Sequence, residues 1–239
     1  QAGVMASTVF ASFLCVGGVL LLLAFLKLDA GSKNRIFPQG VLNPRTVPGS
    51  GLVMMSSLFM ATIALTVYGP LLMYIIFGAE PLVAGYIIAL ESLGWTVVAI
   101  TTSGVSVRVE ARLIRLGSVL VSISMVGLIY AMPSGPIWLI ALLSSIMGIG
   151  FGMSWSFVSK RIIANVSEAE RAQASASIPT FMRVSMALGS ALSGIIANFS
   201  GFSEDSSVEV AQNVAFWCFA AFVPLIVVGL FTAWRVSRE

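Results

Sequence analysis

The sequence predicts an all-α integral membrane protein, because its composition requires lipid as the solvent and its long apolar runs require helices as the backbone conformation. Of the 239 residues, 58% are hydrophobic and only 10% are charged, and the mean hydropathy is +0.99. A water-soluble domain needs more polar surface. The apolar residues form long unbroken runs, whereas strands of a membrane barrel alternate polar and apolar residues. We therefore expect helices that cross the bilayer.

Seven apolar runs predict seven transmembrane helices. A helix needs about 20 residues to cross a hydrocarbon core of about 30 Å. Runs of that length lie at 4–26, 51–77, 82–104, 113–132, 137–158, 174–198 and 212–234. The connection at 29–50 is longer than the others and contains three prolines and three basic residues. We therefore predict a linker transmembrane helix at 1–28, a basic cytoplasmic linker at 29–50 and a six-helix domain at 51–239.

The positions of the basic residues predict the side of the membrane that each connection occupies. Twelve of the 13 Lys and Arg residues follow the first, third, fifth or seventh span, and the opposite loops contain acidic residues but neither Lys nor Arg. Short loops rich in Lys and Arg stay in the cytoplasm. We expect a multi-pass protein of the cell (inner) membrane with an external N-terminal end and a cytoplasmic C-terminus. Charges scattered in this way do not favour nucleic acid as a partner.

Two charged residues inside predicted spans, Glu91 and Arg183, are the candidates for coupling or substrate binding. Glu91 lies near the midplane of the third span, where an ionisable side chain is costly unless it faces a partner or water. A carboxyl group there can exchange a proton or a cation. The alternative is a structural ion pair or hydrogen bond with Arg183, Ser92 or Thr96. Arg183 does not release its proton, so we expect it to line a cavity, tune a carboxylate or bind an anion.

Further side chains in the second, third and fifth spans are candidates to line a cavity or form a gate. Pro70 lies in the middle of the second span, where its missing N–H and its ring allow a kink that is either a moving element or static. The other candidates are aromatic or polar, and each has the alternative of a packing or interfacial role. They are Tyr68, Trp95, Thr96 and Trp155.

The fifth span contains three closely spaced glycines, Gly148, Gly150 and Gly152. They resemble a dinucleotide-binding fingerprint only superficially, because no strand precedes them. Residues two apart point about 200° apart around a helix, whereas Gly148 and Gly152 share one face. We therefore expect close packing against a neighbouring helix. Gly189 and Gly194 predict the same for the sixth span.

The sequence contains no recognisable set of residues for catalysis, cofactor binding or metal binding. There is no His, no zinc-protease motif, no nucleophile elbow and no phosphate-binding loop. We expect neither an enzyme nor a bound cofactor or metal. Cys15 and Cys218 fall in apolar runs and predict no disulfide. The chain begins at Gln1 with no signal-like segment, and we interpret it as a fragment.

Several short motifs lie along the last six spans. GAEPLVAG at 78–85 resembles a G-x-x-P-x-x-A-G entry into a helix. Gly104, Arg108 and Arg112 form a degraded copy of a cytoplasmic G-x-x-x-D-R-x-G-R motif, with Arg108 where the motif has Asp. After the glycines of the fifth span, ERAQAS at 170–175 leads to Arg183 and to ALGSAL at 187–192. With these motifs the chain resembles the C-terminal part of a major facilitator superfamily transporter. Within that superfamily, the motifs are most similar to those of the fourteen-helix branch of drug:proton antiporters.

The resemblance implies an architecture and a function. The first span is then one of two extra helices that join two six-helix halves, and the second, third, fifth and sixth spans line a central cavity. The implied function is movement of a small organic solute or drug by alternating access, with proton-coupled efflux favoured. The implied partners are the bilayer, the small-molecule substrate, protons and the missing N-terminal half. The alternative is a membrane scaffold or sensor domain that docks a partner without transport.

Overall fold

The computed structural model describes residues 2–32, 35–41, 43–202 and 207–238, and all regular secondary structure in these residues is helical. The helices are α1 (Ala2–Gly31), α2 (Val47–Phe77), α3 (Pro81–Thr101), α4 (Val107–Ser134), α5 (Ile137–Ala164), α6 (Arg171–Phe199), α7 (Val208–Ala220) and α8 (Val223–Val236). A short 3-10 helix, Glu168–Glu170, precedes α6. The predicted all-α fold is confirmed for these residues.

Six helical segments of the described chain are long and apolar enough to cross a membrane. They are Val47–Phe77, Pro81–Thr101, Val107–Ser134, Ile137–Ala164, Glu168–Phe199 and Val208–Val236. These segments coincide with the second to seventh predicted spans. The first predicted span, 4–26, lies within α1, which is 30 residues long. That α1 also crosses the bilayer stays a prediction.

The helix ends differ from the ends of the apolar runs where the chain becomes polar. α4 begins at Val107, before the predicted start at 113, and α5 continues to Ala164, beyond the predicted end at 158. Backbone hydrogen bonding does not require apolar side chains, so a helix can extend past its apolar run. α3 instead ends at Thr101, because the chain turns at Gly104, whose positive φ of 84° favours glycine.

The last predicted span, 212–234, is divided into α7 and α8. Pro224 lacks the N–H that would bond to the carbonyl oxygen of Ala220, and its ring crowds that carbonyl group. The backbone leaves the helix at Ala221 and Phe222 and resumes it at Val223. The helix is therefore interrupted before this proline, while Val208–Val236 as a whole remains long and apolar enough to be the seventh predicted span.

The helices pack so that α5 has neighbours on two sides, α3 and α4. α2 packs against α6 and α8, and α4 packs against α7 and α8. α3 and α6 each contact both α2 and α5. The four helices that the resemblance assigns to a cavity, α2, α3, α5 and α6, therefore form one contiguous group.

Two glycines bring the backbone of α5 against the backbone of α3. A Cβ atom at Gly148 would collide with the carbonyl oxygen of Glu91, and a Cβ atom at Gly152 would lie 2.6 Å from the carbonyl oxygen of Trp95. Neither position can accept a side chain unless the helices separate. The prediction that Gly148 and Gly152 share a packing face is confirmed.

The remaining glycines of this pattern face other helices. A Cβ atom at Gly150 would lie 2.6 Å from the carbonyl oxygen of Gly117 on α4, on the opposite side of α5 from Gly148. On α6, a Cβ atom at Gly189 would lie 2.5 Å from the carbonyl oxygen of Met60 on α2. Close helix approach is therefore confirmed for α6 at Gly189, and α5 is held between two backbones.

Four contacts place the connections after α1, α3 and α5 together with the C-terminal end of α8. Lys160 forms a salt bridge with Glu110, Arg161 donates to the carbonyl oxygen of Val236, Arg115 lies 5.4 Å from the centre of the Trp234 ring, and Arg235 donates to the carbonyl oxygen of Arg45. We call this the basic end of the bundle. The connections that contain the basic residues therefore lie together at one end of the bundle. The cytoplasmic location of this end stays a prediction.

Candidate functional site

Glu91 lies at the centre of α3, and its side chain is half-buried. Among the described residues its carboxylate makes neither a salt bridge nor a hydrogen bond. Within this part of the chain Glu91 does not pair with Arg183, Ser92 or Thr96, and the Thr96 hydroxyl instead donates to the carbonyl oxygen of Ser92 at 2.8 Å. The described part of the chain therefore leaves the carboxylate available to a proton or a cation.

Four aromatic rings pack together, and one of them, Trp95, lies one helical turn from Glu91 on α3. Trp95 of α3 stacks on Phe151 of α5 with ring centroids 5.3 Å apart, and it lies 5.6 Å from Trp155. Phe59 of α2 lies 4.9 Å from Phe151 and 5.1 Å from Trp155. Residues four apart share one helix face, so Glu91 and Trp95 lie on the same side of α3. A carboxylate on the same helix face as an aromatic side chain is an arrangement that suits an organic cation.

The structure joins two sequence candidates, Trp95 and Trp155, that the sequence predicts only separately. It adds Phe59 and Phe151, which sequence reasoning missed. The chain has 15 phenylalanines, most of them in apolar runs, and no local signal distinguishes these two from the rest. Their role depends on how α2, α3 and α5 pack. We call these four residues the aromatic cluster.

Arg183 lies near the centre of α6 with its side chain exposed. It forms no hydrogen bond or salt bridge with the described residues, so it does not pair with Glu91 within this part of the chain. α3 and α6 are not themselves closely packed, but both flank α2 and α5. The two intramembrane charges therefore lie on separate helices on either side of the α2–α5 pair.

Tyr68, Pro70 and Thr96 lie outside the aromatic cluster. The Tyr68 hydroxyl is close to Gly194 of α6, where an added Cβ atom would be 3.3 Å away. α2 remains helical through Pro70. Thr96 is exposed on α3. Their roles in a cavity or gate stay predictions.

α3 and α6 are the least covered of the six candidate spans. In the most apolar 18-residue stretch of each span, 11% of the residues are buried in α3 and 22% in the segment containing α6, against 39–50% in the other four. Large apolar side chains stand exposed on α3, including Leu82, Tyr86, Leu93 and Ile100. These two helices therefore present surfaces that the other described residues do not cover.

The residues of the predicted loop motif lie at the basic end. Gly104 forms the turn after α3, and Arg108 and Arg112 are exposed on the first turns of α4. Neither arginine has a hydrogen bond or salt bridge among the described residues. Their part in a motif stays a prediction.

Glu110 is a residue that sequence reasoning missed. Its carboxylate accepts a charge-assisted hydrogen bond from Lys160 of α5 at 2.7 Å, and its side chain is 5% exposed while that of Lys160 is 63% exposed. The sequence offers a weak signal, since Glu110 is the one acidic residue between Glu91 and Arg161. It lies two positions after Arg108, which stands where the motif has Asp. This salt bridge joins the basic ends of α4 and α5.

The fold and the site define a membrane protein of packed apolar helices with a carboxylate and a guanidinium near the centres of two of them. No protein family model matches the chain. It is similar to two proteins of Mycobacterium tuberculosis, from two strains, each named "Probable multidrug-efflux transporter". Each is 24% identical over 234 residues.

The extent of this similarity limits what it shows. The aligned region covers 95% of this chain but 47% of each relative, so the chain spans about half the length of the curated relatives it matches. Both relatives are named as transporters, which are not enzymes, in agreement with the expectation for this chain. The chain is therefore a helical membrane protein with distant homology to a transporter.

Proposed function

We propose that this chain is the C-terminal part of a secondary active transporter that moves a small organic solute or drug across the cell membrane by alternating access. The proposal includes membership of the major facilitator superfamily, in its fourteen-helix branch, and proton-coupled efflux. The observation that carries it is the Glu91 carboxylate at the centre of a candidate span, which has no partner among the described residues and lies one helical turn from Trp95 of the aromatic cluster. Similarity to proteins named as multidrug-efflux transporters along 95% of the chain supports it.

The missing N-terminal half is part of this proposal. The uncovered faces of α3 and α6 are where a second group of helices would pack, since both belong to the contiguous group that contains Glu91 and Arg183. Secondary transporters commonly bind their substrates at the midplane between two such repeats. The central positions of Glu91 and Arg183 along their helices agree with that location.

In the proposed mechanism, Glu91 binds either the coupling proton or the positive charge of the substrate. A group that binds both in competition links the movement of one to the movement of the other. Trp95 and Trp155 offer π faces to an organic cation beside that charge. Arg183 keeps its proton. Its role is to set the electrostatic potential around the Glu91 carboxylate in the cavity that forms when the N-terminal half packs against this chain.

The test is proton-driven solute transport by the full-length protein in liposomes with an imposed pH gradient. Glu91→Gln keeps the size of the side chain but removes the group that takes up a proton, so we expect the proton-driven component to fall about tenfold or more. Glu80→Gln is the matched control, because Glu80 is exposed at the N-cap of α3. Undiminished proton coupling in Glu91→Gln would refute the role of Glu91. Absence of solute movement by the unmodified protein would favour a scaffold.

A further inference from the structure

A cavity of about 490 Å³ lies between α1 and the rest of the bundle. Its wall is formed by α1, residues 37 and 41 of the connection, and α2, α6 and α8, and it is partly open to the outside. Protein interiors contain few voids larger than a water molecule, because an empty space deprives its wall of van der Waals contacts. A cavity of this size therefore calls for an occupant.

The wall of this cavity is almost entirely apolar. Its hydroxyl groups belong to Ser56, Ser57, Thr180 and Ser185. Three of them donate to carbonyl oxygens of their own helices, at 3.1 Å for Ser57, 2.9 Å for Thr180 and 2.7 Å for Ser185. Ser56 Oγ is buried and has no partner in the described structure. A single unpaired hydroxyl does not hold the water needed to fill such a space, so the occupant must be apolar.

Three phenylalanines line the cavity where the connection after α1 meets α1 and α6. The ring of Phe37, in the connection after α1, lies 6.1 Å from that of Phe25 on α1 and 5.1 Å from that of Phe181 on α6. All three residues line the cavity. The connection thus inserts an aromatic side chain between α1 and α6, while the space deeper along these helices remains unfilled.

A second, more polar cavity of about 340 Å³ adjoins the first. The two share Leu26, Phe37 and Val41 in their walls. Arg35 and Asp29 line the second cavity, and both Asp29 oxygens accept backbone N–H groups, at 2.6 and 3.0 Å. Arg35 makes only one weak hydrogen bond in the described structure, from Nε to a backbone oxygen at 3.4 Å. Most of its guanidinium donors are therefore available to a ligand.

We propose that the two cavities together bind one membrane phospholipid, with an acyl chain in the apolar cavity and the phosphate beside Arg35. The ligand must be amphiphilic, because an apolar space adjoins a polar one that contains a guanidinium group. Arg binds phosphate oxygens through paired N–H donors. The apolar cavity borders α2 and α6, which are long and apolar enough to cross the bilayer, where acyl chains are the surrounding solvent. The lipid completes the packing of α1 against α2, α6 and α8.

The first test is native mass spectrometry of the full-length protein in mild detergent with two added lipids. Phosphatidylglycerol and diacylglycerol with identical acyl chains differ only in the phosphate headgroup. We expect one tightly bound phosphatidylglycerol, preferred about tenfold or more over diacylglycerol, which corresponds to about 1.4 kcal/mol. Equal binding of the two lipids, or no specific binding of either, would overturn the proposal.

Two substitutions separate the acyl-chain site from the headgroup site. Val53→Trp fills the apolar cavity from α2, and we expect it to reduce phosphatidylglycerol binding about tenfold. Val126→Trp, on the exposed face of α4, is the matched control and should bind lipid normally. Arg35→Gln should bind both lipids but lose the preference for phosphatidylglycerol. Retention of that preference would refute the assignment of the phosphate to Arg35.

A measurement on the unmodified protein keeps the proposal testable if Val53→Trp fails to fold. Phosphatidylglycerol with a diazirine in its acyl chain should label peptides of α1, α2, α6 and α8 that line the cavity, upon illumination. Excess ethidium, a lipophilic organic cation, should not reduce this labelling. Labelling elsewhere would refute the site, and displacement by ethidium would assign the cavity to solute binding.

Discussion

α5 and α1 contact the bundle in opposite ways. On α5, Gly148 and Gly150 press the helix against backbone carbonyl groups of α3 and α4 on two sides, with no room for a side chain. α1 leaves a cavity of about 490 Å³ beside it, and an added Cβ atom at Gly17 or Gly18 would meet nothing within 4 Å. Both helices are rich in apolar residues, so hydrophobicity alone does not determine how closely a helix packs.

The difference between the two helices lies in where small residues fall. In lipid, apolar side chains gain little by leaving the solvent, and helix association depends on van der Waals packing and interhelical hydrogen bonds. α5 supplies glycines on two faces, each aligned with a neighbouring backbone, so its register against α3 and α4 is fixed. α1 is attached through Phe25, Phe37 and Phe181 and through polar contacts of the connection. We therefore expect α3, α4 and α5 to move as one body and α1 to be separable from it.

The largest effect is expected from a side chain placed in the tight contact. Gly148→Val forces a branched side chain against the carbonyl oxygen of Glu91, so α3 and α5 must separate. Overpacking typically costs about 1–3 kcal/mol, and a clash with backbone belongs at the upper end of that range or beyond it. Thermal unfolding of the full-length protein in detergent measures the loss. Gly18→Val in α1 is the matched control, and equal destabilisation by the two substitutions would contradict the comparison.

A smaller effect is expected at the salt bridge that joins α4 and α5 at the basic end. Lys160→Gln leaves the buried Glu110 carboxylate without its partner, so we expect a loss of about 2 kcal/mol. Glu110→Gln leaves only the exposed Lys160 ammonium group, which water solvates, and should cost less than about 1 kcal/mol. Chemical denaturation of the two variants and of the double variant measures this asymmetry. A larger loss in Glu110→Gln would refute it.

The sequence predicts well what depends on one helix at a time. Apolar runs locate α2 to α6, and the angular spacing of Gly148, Gly150 and Gly152 predicts their faces, because both properties are local. Pro224 is also a local signal, in this case for a helix break, but it lies within a long apolar run that predicts a single span. The residues that meet across helices were harder to predict. Phe59 and Phe151 join Trp95 and Trp155 only through the packing of three helices, and Glu110 meets Lys160 across 50 positions of sequence.

The connection after α1 is held to the start of α6 by polar contacts. Glu170 accepts a hydrogen bond from the backbone N–H of Gln39 at 2.8 Å and another from the hydroxyl of Ser167 at 2.5 Å. The side-chain amide of Gln173 donates to the carbonyl oxygen of Arg35 at 2.9 Å. The hydrogen bond from Ser167, followed by that from Gln39, lowers the pKa of Glu170 below its ordinary value.

The smallest predicted effect is a pH dependence of this attachment. Because the pKa of Glu170 is lower in the folded protein than in the unfolded chain, its contribution is fully present above the ordinary pKa and is lost as the pH falls through the lowered one. Protection of the Gln39 N–H from hydrogen exchange should therefore decrease in that acidic range. In Ser167→Ala the decrease should begin at a higher pH, because the largest cause of the lowered pKa is removed. Glu170→Gln should show no such transition, and an identical pH profile in all three proteins would mean that Glu170 does not hold the connection.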